Sequence, residues 1–228
     1  GRFHAEVRVQ GSSRKLQSKR AEQVWLAALA AKQQSIAARL IAAGADIEAR
    51  DELGRTPLHM AVHNLTYQTV QAANDDSYQI DQGHEIDPTG FVQLLLQSGA
   101  NPNAVDRFGR TPVMLAAVRN EFMGPYFPQV VEALVAAGAD LNAKELFGRT
   151  TLMLAARFSS QCVLHQLKLG ADPILTDHWG RNPIHWGILS HADSDAIRKL
   201  SRAGFDPNQL DRDGLSTLDY AINACAEQ

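Results

Sequence analysis

The chain has 228 residues, 45% of them hydrophobic and 21% charged, with a formal net charge of −3. That balance gives no global electrostatic reason to bind nucleic acid or a membrane, and no apolar run approaches the roughly 18 residues needed to span a bilayer. Cys162 and Cys225 are the only cysteines; they make neither a disulfide framework nor a CxxC pair, which points to a reducing, cytoplasmic setting.

Residues 1–20 form a basic N-terminal extension: Arg2, Arg8, Arg14, Lys15, Lys19 and Arg20 face a single acid, Glu6. They read as a solvated linker, or as a basic arm for an acidic partner. With only Phe3 interleaved, they do not read as a nucleic-acid site. No apolar signal region is present, and the start at Gly1 leaves room for a longer parent protein. From Ala21 the pattern turns helical. Val24, Trp25, Ala28 and Leu29, then Ile36, Leu40 and Ile41, recur at three- and four-residue steps. This predicts cap helices over 22–31 and 35–43 within residues 21–44.

An eleven-residue segment then appears five times, at 51–61 (DELGRTPLHMA), 106–116 (DRFGRTPVMLA), 145–155 (ELFGRTTLMLA), 177–187 (DHWGRNPIHWG) and 211–221 (DRDGLSTLDYA). Ten residues before each segment's glycine stands another glycine, closing an apolar helix: Gly44, Gly99, Gly138, Gly170 and Gly204. A constant interval inside a variable period means one rigid unit repeated. The segment glycine suits a turn backbone that other residues resist. Thr supplies an oxygen able to cap the next helix, and Pro fits the first helical turn. Leu58, Val113, Leu152, Ile184 and Leu218 are expected to face inward. Cys162, within an apolar helical run, reads as a small buried hydrophobe.

These residues resemble the ankyrin repeat, whose period is about 33 residues and whose mark is T-P-L-H-x-A. Thr56–Ala61 matches that mark, and GADIEA, GANPNA and GADLNA at Gly44, Gly99 and Gly138 are similar to the family's turn. The resemblance implies an all-α solenoid of helix–turn–helix pairs with β-turn fingers over residues 21–228, its repeats starting near 51, 106, 145, 177 and 211. It makes His59 and His185 structural, bonding within and between repeats. Met114 and Met153 depart from that pattern, as do Asn182 and the fifth copy's STLD; terminal repeats are often atypical. Successive segment glycines are 55, 39, 32 and 34 residues apart. The excess falls between the two helices of a repeat, as insertions at 64–88 and 119–128. The longer insertion is polar and acidic. The shorter one, too apolar for an idle loop, tucks onto the helices or forms a second contact patch.

No phosphate loop, HExxH, GxSxG or metal-spaced Cys/His cluster occurs, so no enzyme activity, cofactor or metal is expected. The variable places are more informative. The residue before the segment glycine, at the fingertip, reads Leu53, Phe108, Phe147, Trp179 and Asp213. Side by side, the first four would make an apolar, aromatic ridge, either half-buried against neighbouring fingers or presented to a partner. Arg55, Arg110, Arg149 and Arg181 make a second column, for turn bonding or for gripping carboxylates. His63, Arg119, Arg157, Phe158 and Leu189 should line the concave face. The expected function is a non-enzymatic protein-binding module, an adaptor or scaffold, for an apolar and acidic partner segment. The alternatives are a bacterial effector or an immunity-type inhibitor that blocks an enzyme, and, behind these, an enzyme whose site is assembled across repeats; secretion as an effector stays open.

Overall fold

The computed structural model describes residues 34–63, 89–118, 126–157, 160–190, 194–204, 206 and 208–226. The basic extension, the cap helix at 22–31 and the insertion at 64–88 lie outside them, as do residues 119–125 of the shorter insertion. Every described regular element is helical: α1 (Gln34–Ala42), α2 (57–63), α3 (Gly90–Gln97), α4 (Pro112–Val118), α5 (Tyr126–Ala136), α6 (Thr151–Ala156), α7 (Ser160–Lys168), α8 (Pro183–Leu189), α9 (Ser194–Arg202) and α10 (Thr217–Ala226). Helix α5 begins at Tyr126, so residues 126–128 of the apolar stretch belong to a helix.

Two layers result. The inner helices α4, α6, α8 and α10 pack in series, and α3, α5, α7 and α9 pack in series behind them. A turn finger precedes each inner helix. All of Thr151–Ala156 is buried, as is Pro112–Ala117. Each outer helix ends where its glycine turns the chain: Gly99 N–H donates to the Leu96 carbonyl at 3.0 Å and Ala100 N–H to the Leu95 carbonyl at 3.0 Å. All ten repeat glycines have φ between 72° and 96°. The constraint is tightest at Gly148, where an added Cβ would lie 2.6 Å from His178 Cδ2 and 2.8 Å from its amide nitrogen.

Leu58, Val113, Leu152 and Ile184 are buried, as expected of inward positions. Burying each contributes roughly 1.5–3 kcal/mol. Leu218, in the same place of the fifth copy, is 66% exposed. The expectation fails there: α6 and α8 each pack between two inner helices, whereas α10, among the described residues, packs against α8 on one side. Cys162 is buried.

The capping expectation needs a second correction. Thr150 is the N-cap of α6 but makes no side-chain cap bond, and the Thr111 and Thr150 hydroxyls are buried without hydrogen-bond partners. In the first copy the hydroxyl has one, because His59 Nδ1 sits 2.9 Å from Thr56 Oγ1 and accepts the Thr56 amide at 3.1 Å. His59 Nε2 also reaches the Arg110 carbonyl of the next copy, at 3.0 Å. Met114 and Met153 replace that imidazole with buried apolar volume and leave the threonine orphaned. Asn182 does cap, its side-chain oxygen accepting from the Ile184 and His185 amides. Burial holds both His59 and His185 below the ordinary imidazole pKa, so each is kept neutral.

Candidate functional site

The fingers are built by their first residue. In the first, second and fourth copies one oxygen of Asp51, Asp106 or Asp177 accepts the amides two and four residues on, at 2.7–2.9 Å. The other oxygen takes the arginine Nε of the same finger. Glu145 does the same work mainly through one oxygen. These carboxylates are almost fully buried, whereas their arginines keep 18–29% side-chain exposure. The column Arg55, Arg110, Arg149 and Arg181 is thus first a turn-bonding device. Each Nε is committed to the finger, and Arg110 and Arg149 each bring a terminal nitrogen to the same carboxylate as well.

Adjacent fingers are tied through the fingertip residues themselves. The Leu53 carbonyl accepts the Arg107 amide at 2.9 Å, Phe108 the Leu146 amide at 3.0 Å, Phe147 the His178 amide at 3.1 Å, and Trp179 the Arg212 amide at 2.8 Å. This ladder sets the four tips in one row. Leu53, Phe108, Phe147 and Trp179 are 41%, 44%, 48% and 42% exposed. Each tip therefore packs over half its surface against the protein and leaves the rest in solvent. Phe147 and Trp179 stack with centroids 6.0 Å apart and planes at 23°. Each aromatic also carries its own finger's guanidinium, at 4.8 Å for Arg110 on Phe108, 5.1 Å for Arg149 on Phe147 and 4.6 Å for Arg181 on Trp179.

Trp186 is the residue that sequence reasoning missed. Its indole N–H donates to Asp177 Oδ2 at 3.0 Å, and three guanidiniums converge on its ring: Arg181 at 4.6 Å, Arg149 at 5.3 Å and Arg157 at 5.7 Å. The signal was present. The variable place of T-P-L-H-x-A holds Met60, Leu115 and Leu154 in the first three copies but Trp186 and Tyr220 in the last two. Arg157 is exposed and donates from Nε to Ser190 Oγ at 3.2 Å. Leu189 is exposed on the same helix as Trp186, and His63 is half-buried. Phe158 and Arg119 lie outside the described residues.

In the fifth finger Tyr220 stands in for the missing arginine, its hydroxyl donating to Asp211 Oδ2 at 2.6 Å. Burial and this bond to a carboxylate push the phenol up to about 12. Burial alone would raise the Asp211 carboxyl; the bonds from Tyr220 and from the Leu215 and Asp213 amides outweigh it and hold the group below its ordinary value.

Among the described residues no cluster of three or more His, Cys, Asp or Glu side chains could hold a metal ion, and no helix is long and apolar enough to cross a membrane. Family models of ankyrin repeats match the chain in overlapping stretches: a three-copy model over residues 84–177 and 124–211, and a many-copy model over residues 24–73. The matched stretches take in most of the sequence, including the first four fingers and the start of the fifth. The chain belongs to the ankyrin repeat family, whose members generally serve as protein–protein interaction modules rather than as enzymes.

Proposed function

We propose that residues 21–228 form a non-enzymatic adaptor domain that receives a protein partner on the row Leu53, Phe108, Phe147 and Trp179 and on the inner-helix surface beneath it. The observation that carries this reading is the fifth finger. Asp213 and Leu215 replace the aromatic and the arginine there, yet Asp211 Oδ1 still accepts both amides at 2.9 Å and Arg212 still bonds to the preceding fingertip. The turn therefore needs neither side chain. Three aromatic tips in succession, each holding nearly half its surface in solvent, are better explained by contact with another molecule. A frame held by buried carboxylates and a backbone ladder has little left to order on binding, which favours affinity.

Capture of partners from a cell extract, compared between the wild-type chain and Phe108→Ala/Phe147→Ala/Trp179→Ala, tests this. The reading predicts that the proteins retained specifically by the wild type are lost from a variant that is still folded by circular dichroism. Retention of every one of them would sink it.

A further inference from the structure

We infer that the partner segment is acidic, and that its carboxylate is read at the junction of the third and fourth copies by Arg149, Arg181 and Arg157 gathered on Trp186. The inference rests on the finger ridge as the docking row and names the chemistry of what docks.

Charge is the first argument. The chain as a whole is net negative, but its aromatic fingers are not. Residues 104–110 and 143–149 each carry two cations and one acid, residues 175–181 carry one of each, and the aromatic-free finger 209–215 carries one cation and two acids. The excess of positive charge coincides with Phe108 and Phe147, and it reverses where the aromatics stop. A partner complementary to the aromatic fingers is negative.

Geometry is the second. Guanidinium groups attract carboxylates most effectively when their planes are fixed before contact. Arg149 and Arg181 are fixed twice, by stacking on the Trp186 ring and by Nε bonds to Glu145 and Asp177. Arg157 is fixed by the same ring and by Ser190, and it is exposed. The Phe147–Trp179 stack lies beside them. An apolar side chain on that stack and a carboxylate on the arginines can therefore come from one short extended segment.

A phage-displayed library of random dodecapeptides, selected on the intact chain, tests the inference. The expected pool is enriched in Asp and Glu combined with aromatic or aliphatic residues. A synthetic peptide from it should bind Arg157→Glu about tenfold more weakly than wild type, with Arg157→Gln intermediate and melting temperatures unchanged. Affinity should also fall as NaCl is raised. A pool without acidic enrichment, a selection yielding no binder, or equal affinity for wild type and Arg157→Glu overturns the inference. Acidic peptides that bind Phe147→Ala/Trp179→Ala undiminished would support the acidic preference while refuting the ridge. Non-acidic peptides lost on that double variant would support the ridge while refuting the acidic preference.

Discussion

The second to fourth fingers and the fifth share one backbone and differ in almost everything it presents. In both regions a buried carboxylate gathers the amides two and four residues on, and a backbone bond ties each finger to the one before. Beyond that frame, each middle finger adds an aromatic tip with a guanidinium over it, and the third and fourth also lend Arg149 and Arg181 to the cluster on Trp186. The fifth adds Asp213, Leu215 and a tyrosine hydroxyl that takes over the arginine's bond. Frame and decoration are thus separable: the turn forms with or without the aromatic and the arginine.

The largest expected contrast concerns the frame. Gly148→Ala would combine left-handed strain with a Cβ against the His178 backbone, whereas Gly214→Ala would meet the same strain in open space. Urea unfolding should show a loss of about 3 kcal/mol for the first and about 1 kcal/mol for the second. Equal losses would mean that the middle fingers are no more tightly stacked than the last.

A smaller effect separates the His-bearing junction from the Met-bearing ones. Met153→His should let the imidazole meet the orphaned Thr150 hydroxyl as His59 meets Thr56. The expected gain in unfolding free energy is about 1 kcal/mol. Unchanged or lower stability would show that the buried methionine's packing outweighs the recovered bond.

The smallest is a pH effect. The folded-state pKa values of His59 and His185 are both lowered, so each stays neutral in the fold while the unfolded chain takes up protons near pH 6.5. Their contribution is fully present above that pH and is lost as the pH falls through it toward the depressed folded values. Thermal melts between pH 7.5 and 5.5 should therefore slope less steeply for His59→Gln/His185→Gln than for wild type. Parallel slopes would contradict the assignment.

Much of the architecture was legible in the sequence because glycine spacing reports backbone geometry directly: each of the ten glycines that defined the period has positive φ. The tip residues were legible for the same reason, since a fixed offset from a turn glycine fixes a place on the finger. What stayed hidden depends on neighbours. Leu218 has the sequence context of a core position, but its helix is flanked by an inner helix on one side alone among the described residues. Thr111 and Thr150 look like caps until the loss of the histidine they would pair with is weighed. Trp186 gathers arginines from two different fingers and from the C-cap of α6, and no single copy announces that convergence.

The most direct test is the affinity of a captured partner, titrated against wild type, Phe108→Ala/Phe147→Ala/Trp179→Ala and the fifth-finger variant Asp213→Ala/Leu215→Ala. Loss of three half-exposed aromatic contacts should weaken binding by about a hundredfold or more, while the fifth-finger variant stays near wild type. Equal weakening in both variants, or none in the first, would contradict the claim that the aromatic fingers are the binding surface.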